Sequence, residues 1–173
     1  INMLGDRGTE GVSQASWIKS IMATLIKPWT QRGKNTGGLF GSRLQTEEEV
    51  LGWNRAQQAA FLIFTWKEFQ DAVAKYDAGW ARDLRRIRDL ASHNDIDQAF
   101  AGPHSLIATD QGVRGFLQTL NDITYFMAAR WKLDEWRADL SSGSADNEAV
   151  SSAMLTFRKT EAAKRSLRPL VAV

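Results

Sequence analysis

The chain has no cysteine, which excludes disulfides, thiolate metal sites and a thiol nucleophile and makes a cytoplasmic setting the expectation. It also lacks any apolar run of membrane-spanning length. The longest clean one, Ala59-Ala60-Phe61-Leu62-Ile63-Phe64, falls far short of the roughly 20 residues a spanning helix needs, so no membrane partner is expected. No secretory signal is visible. Histidine is scarce, with only His93 and His104. His104 follows Pro103 and has no second ligand at metal spacing. No metal and no other cofactor is expected. A Gly-x-Ser-x-Gly nucleophile elbow is absent as well. The first residue is Ile1 and not Met, so the expectation is a fragment of a longer protein.

What is present describes an ordinary globule. The 173 residues, 43% hydrophobic and 24% charged, suit one domain with a buried core and argue against disorder through most of the chain. Apolar residues recur at helical spacing. Val12, Trp17, Ile18, Ile21, Met22, Leu25 and Ile26 form one face, capped at Ser13 or Ser16 and stopped by Pro28. Thr46-Glu47-Glu48-Glu49 reads as a capping box opening a helix over 47–75 that is apolar on several faces. Such a helix sits in the middle of a bundle or at an oligomer contact. A bend at Tyr76-Asp77-Ala78-Gly79-Trp80 leads into an arginine-rich helix ending near residue 91, then a loop over 92–103 with room for one short turn. In that loop Asp95 and Asp97 read as solvated carboxylates. Residues 105–109 read as a short extended piece. A helix starting at Thr109 or Asp110 shows a face of Val113, Phe116, Leu117, Leu120, Ile123 and Met127 and is expected to run to about residue 140. Asp146 caps a last helix. The expectation is an all-α fold: a single helical domain of about five helices over 1–173, with loops at 1–11 and 28–45 and a tail at 166–173.

Charge is segregated behind a net of only +2. Lys27, Arg32, Lys34 and Arg43 lie in a stretch without acids that holds four glycines over 28–43. It is not a P-loop, because no Gly-Lys-Ser/Thr follows at the required spacing and no strand precedes it. A mobile basic loop contacting a phosphate backbone, or an inert connection, fits better. Arg82, Arg85 and Arg86, at i, i+3 and i+4, share a helix face. Acids collect at Glu47-Glu48-Glu49 and between Asp134 and Glu148. These patches mark Arg32, Lys34, Arg43, Arg82, Arg85 and Arg86 as candidate nucleic-acid contacts, to DNA or RNA, through phosphates and without sequence reading. Most of the seven tryptophans are expected in the core, Trp17 and Trp66 among them, with Trp29 beside the basic loop a candidate for base stacking.

Arg88-Asp-Leu-Ala-Ser-His93 resembles the Arg-(polar)-x-x-x-His motif of HEPN domains, small helical proteins that often act as metal-independent ribonucleases. That resemblance implies His93 as the proton-transfer group and Arg88 as the residue that stabilises charge at the scissile phosphate, with the RNA 2′-OH as nucleophile and a dimer bringing two motifs together. HEPN domains usually carry the motif on a late helix, whereas here it lies mid-chain.

A second resemblance covers more of the sequence. Gly5-Asp6-Arg7-Gly8-Thr9-Glu10-Gly11-Val12-Ser13-Gln14-Ala15-Ser16-Trp17-Ile18-Lys19-Ser20 looks like the stretch after the name-giving motif of DGQHR-domain proteins. Ser105-Leu106-Ile107-Ala108-Thr109-Asp110-Gln111-Gly112-Val113-Arg114-Gly115-Phe116-Leu117-Gln118-Thr119-Leu120 is similar to a late segment of that family. These are DndB-like bacterial proteins of DNA-modification and phage-defence loci. The Asp-Gly-Gln-His-Arg motif itself is not in this chain, so the resemblance implies a helical C-terminal part and carries over no catalytic residue. The leading expectation is a nucleic-acid-associated binding or assembly module. The alternatives are the HEPN-type ribonuclease and an oligomerisation or protein-interaction module in which the helix over 47–75 builds a homo-oligomer.

Overall fold

A helix that is apolar on several faces needs cover on each of them. In the computed structural model α2 (Arg55–Lys75), 21 residues and about 32 Å long, has that cover from its own chain. The structure describes residues 12–26, 29–31, 34–36, 38–42, 49–87, 97–136 and 146–167, with backbone alone for 29–31, 34–36 and 165–167. α1 (Gln14–Ile21) continues as a wider π-type turn over Met22–Ile26 and packs on α5 (Asp110–Met127). α3 (Gly79–Arg86) meets the short α4 (Gln98–Ala101), which also touches α2. α6 (Asn147–Phe157) lies along α2, followed by a π-type turn over Ala162–Leu167. The expected all-α architecture is what forms. Because α2 is buried within the chain, it takes the middle-of-bundle place open to such a helix.

The core holds two sets of rings along α2, most of their contacts edge-to-face. Near its N-terminal half Phe61 contacts Trp53 at 5.2 Å, Phe157 at 5.6 Å and Phe40 at 6.2 Å. Further along, Trp66 contacts Trp17 at 5.0 Å, Phe116 at 5.1 Å and Phe100 at 5.2 Å, bringing α1, α5 and α4 onto one side chain. Each such pair adds about 0.5–1.5 kcal/mol beyond the area it buries. Buried indoles also need acceptors; Trp17 Nε1 has none among the described residues, whereas two others have one. Trp53 Nε1 donates to the Leu133 carbonyl at 3.1 Å, and Trp136 Nε1 donates to Thr156 Oγ1 at 3.1 Å. Gln57, itself buried, donates from Nε2 to the Trp136 carbonyl at 3.0 Å.

α2 starts later than the acidic capping signal predicts. Residues 49–54 are not helical: Glu49 bridges to Ser42, and Gly52 stands at φ 60°, a left-handed conformation that breaks a helix and that glycine adopts at little cost. This turn buries Leu51 and Trp53. The working cap is Asn54, whose side chain accepts from the Gln57 N–H at 2.9 Å while Gln57 accepts from the Asn54 N–H at 3.2 Å. Thr46 and its neighbours over 43–48 lie outside the described residues.

α5 is shorter than expected for a related reason. It is capped by Thr109 as read, but its regular turns end at Met127 and not near residue 140. Lys132 takes φ 52°, and the Leu133 N–H reaches back to Ala128 O at 3.0 Å while Lys132 N–H donates to Ala129 O at 3.2 Å. This pair of reversed bonds is the left-handed helix stop usually built on glycine. It turns the chain so that Trp131, Leu133 and Trp136 are all buried.

Residues 105–109 are turns and not an extended piece. Buried Ser105 donates to Ala99 O at 2.6 Å, and Thr109 Oγ1 donates to Leu106 O at 2.6 Å. The segment expected as a loop over 28–45 holds a two-stranded antiparallel ribbon, β1 (Trp29–Gln31) and β2 (Lys34–Thr36), with Trp29 opposite Thr36 and Gln31 opposite Lys34. Part of the expected tail, residues 166–167, belongs to the final π-type turn.

Two substitutions test this account. Phe61→Ala, which opens a cavity where three rings converge, is expected to cost about 3–5 kcal/mol in urea unfolding. Lys132→Gly removes left-handed strain and is expected to raise stability by about 1 kcal/mol in the same measurement.

Candidate nucleic-acid interface

α3 is amphipathic over two turns. Ala81 is buried, Leu84 and Arg85 are half-buried, and Arg82, Asp83 and Arg86 are exposed. Arg85 lies one turn beyond Ala81, so it follows the inner face and not the outer one. Its Nε donates to Asp97 Oδ1 at 2.9 Å and its Nη2 to Asp97 Oδ2 at 2.9 Å, a bidentate pair. Nη2 also donates to Val73 O at 2.6 Å, and Nη1 to Tyr76 O at 3.0 Å. A cation thus closes the carbonyl end of α2, where the helix dipole is negative. Asp97 in turn caps α4 by accepting from the Ala99 N–H at 3.0 Å. One ion pair ties α2, α3 and α4 together.

Two expectations are corrected here. Arg85 does not stand with Arg82 and Arg86 as an outward phosphate contact, because its donors are engaged by Asp97 and the α2 carbonyls. Asp97 is not simply a solvated loop carboxylate; its side chain is only 15% exposed. The hydrogen bond from Arg85 holds the Asp97 carboxyl below the ordinary carboxylate range, against the opposing effect of burial, and the Ala99 N–H adds to the lowering. The same bond raises Arg85 above its ordinary value.

Arg82 and Arg86 remain outward, one helical turn apart. Arg82 stands 3.5 Å from Asp77, and Arg86 3.9 Å from Asp83, in ion pairs whose four side chains are 54–78% exposed. Exposed pairs of this kind are worth about 0–1 kcal/mol, so a phosphate can displace the carboxylates at small cost. Beside them Tyr76 and Trp80 are each 46% exposed, with ring centroids 6.3 Å apart and planes inclined at 46°. Sequence reasoning placed these two aromatics only in a bend. Their four-residue spacing around the α2–α3 corner was the available signal, but a pair that straddles a helix break has no periodicity of its own.

The remaining candidates divide by position. α3 ends at Arg86, with Ile87 extended (φ −68°, ψ 107°) at its C-cap; residues 88–91 of the expected helix lie outside the described residues. Arg88 and His93 lie outside the described residues, as do Arg32 and Arg43. Lys34 is described only as backbone on β2, and Trp29 only as backbone on β1. The exit of that ribbon is held firmly. Leu39 N–H donates to buried Asn121 Oδ1 at 2.8 Å and Phe40 N–H to Leu25 O at 2.8 Å. Gly38 lies so close to the Leu25 carbonyl that a Cβ there would collide with it.

Among the described residues a shallow dimple lined by Phe40, Gly41, Glu49, Leu51, Gly52 and Trp53 is too small to enclose a ligand. No group of three or more His, Asp or Glu side chains gathers there as a metal site, and no helix is long and apolar enough to cross a membrane. The arrangement presents exposed cations and aromatic rings at the α2–α3 corner. No family model, curated protein or solved structure matches the chain.

The Arg85–Asp97 pair sets a pH dependence. Because the folded carboxyl titrates below its unfolded value of about 3.9, the stabilisation is complete above that value and is lost as pH falls through the folded one. Asp97→Asn is expected to cost about 2 kcal/mol at neutral pH. Urea unfolding between about pH 5 and pH 2 is expected to show a shallower acid slope for the variant than for the wild type.

Proposed function

We propose that the chain is a helical nucleic-acid-binding module that holds the phosphate backbone without reading sequence. The observation that carries this is the exposed Arg82 and Arg86 pair on α3, a helix set in place by Arg85. Mobile cations on long side chains lose entropy when they bind, whereas cations projecting from an anchored helix lose less of it. Arg32, Lys34 and Arg43, on and around the ribbon, supply further phosphate contacts in this reading. Their stretch has no acid to compete.

The setting we infer is a bacterial DNA-modification or phage-defence assembly. The support is the likeness of residues 5–20 and 105–120 to DGQHR-domain sequences. The module would position such an assembly on nucleic acid, and no catalytic step is assigned to it.

Fluorescence anisotropy with labelled oligonucleotides over a series of salt concentrations tests the reading. Wild type is expected to bind with an affinity that falls steeply with salt. Arg82→Ala with Arg86→Ala is expected to weaken binding to all sequences alike and to reduce the magnitude of the duplex log–log salt slope by roughly 2. Affinity that ignores salt, or that the double variant leaves unchanged, overturns the proposal.

A further inference from the structure

We infer that the α2–α3 corner is a stacking platform for unpaired bases, and that the module therefore favours single-stranded over duplex nucleic acid. The inference rests on the nucleic-acid reading above and names its substrate class.

Exposed large aromatics are costly to leave in water, and two of them meet here. Tyr76 and Trp80 keep nearly half of their surface open while touching each other at 6.3 Å. Their planes are inclined at 46°, so they do not shield one another face to face, and each ring leaves part of a face free. A base has an apolar, polarisable face of the same kind, and stacking accepts any base.

The corner is also preorganised. Tyr76 is the residue that ends α2, and its carbonyl accepts from Arg85 Nη1 at 3.0 Å. Trp80 lies in the first turn of α3, next to buried Ala81, on the same helix that Arg85 anchors to Asp97 at 2.9 Å. The backbone carrying both rings is thus held from one guanidinium.

The surrounding charge selects the ligand. Exposed Lys75 adjoins Tyr76 in sequence, and exposed Arg82 and Arg86 share α3 with Trp80, each facing an exposed carboxylate, Asp77 or Asp83. Two inclined rings alone would also suit a quaternary ammonium, which aromatic faces attract. Arginines on the same short helix disfavour a cation and favour a planar group linked to an anion. A nucleotide in a single strand has that chemistry. In a duplex the bases are stacked on each other and offer the rings no face, leaving only the phosphates to Arg82 and Arg86.

Anisotropy with a labelled 20-nucleotide thymidine strand and a mixed-sequence duplex of the same length separates the two levels of the argument. The full 173-residue chain is compared with Trp80→Ala, Tyr76→Ala and Trp80→Phe, each checked by thermal melting. The expected result is about tenfold weaker single-strand binding for each alanine variant, with duplex binding unchanged and Trp80→Phe close to wild type. Should the alanine variants hold the single strand as tightly as wild type, the platform is wrong while the phosphate-binding module stands. Equal losses on strand and duplex also overturn the platform, since they assign the rings a structural role. Failure of wild type to bind either probe overturns both readings.

Discussion

Edge-to-face packing of rings along α2 is the constraint on which the rest of the fold depends. Phe61 and Trp66, five positions apart, each collect three aromatic partners from outside α2, and through them α1, α4, α5 and α6 all meet one helix. Such a core is demanding because indoles carry a donor. A buried N–H left without an acceptor is costly, a cost the core bears at Trp17 Nε1. The backbone carbonyl of Leu133 and the Thr156 hydroxyl meet Trp53 and Trp136. The segment that supplies the carbonyl can reach α2 only if α5 stops and turns. Left-handed Lys132 is the local strain accepted for that turn.

A second constraint governs the surface. Arginine has the same charge wherever it stands, but its use depends on the face it occupies. Arg85 lies over Ala81 on the inner side of α3 and joins three helices through Asp97 and the end of α2. Arg82 and Arg86, within one turn of it, meet only weakly held exposed carboxylates. The difference separates structural charge from available charge. It also couples them, since the half-buried guanidinium orients the helix that carries the exposed ones and the backbone that carries Tyr76 and Trp80. The proposed binding corner is therefore rigid without being part of the core.

The parts of this protein that its sequence determined are those written in short range. Helical class follows from three- and four-residue apolar spacing. The starts of α1, α5 and α6 follow from Ser13, Thr109 and Asp146, each of which accepts from an N–H three residues on. A cap and its helix are near neighbours in sequence, so the signal survives without any knowledge of the fold. Trp17 and Trp66 were legible as core for the same reason, because each sits on a periodic apolar face.

Tertiary structure decided where helices end and which polar groups are free. α2 starts at Arg55 and not before residue 49, with the chain turning at Gly52 and Leu51 and Trp53 buried on either side of it. No glycine marks the end of α5, since burial of Trp131, Leu133 and Trp136 imposes the stop on a lysine. Arg85 could not be told from Arg82 and Arg86 by composition, for its partner lies twelve residues away across a segment with no periodic pattern. Tyr76 and Trp80 became a pair only when the chain bent between α2 and α3. Caps and periodicity act between neighbours and are carried by the sequence itself, whereas long-range burial and ion pairing exist only once distant segments have been brought within a few ångströms of each other.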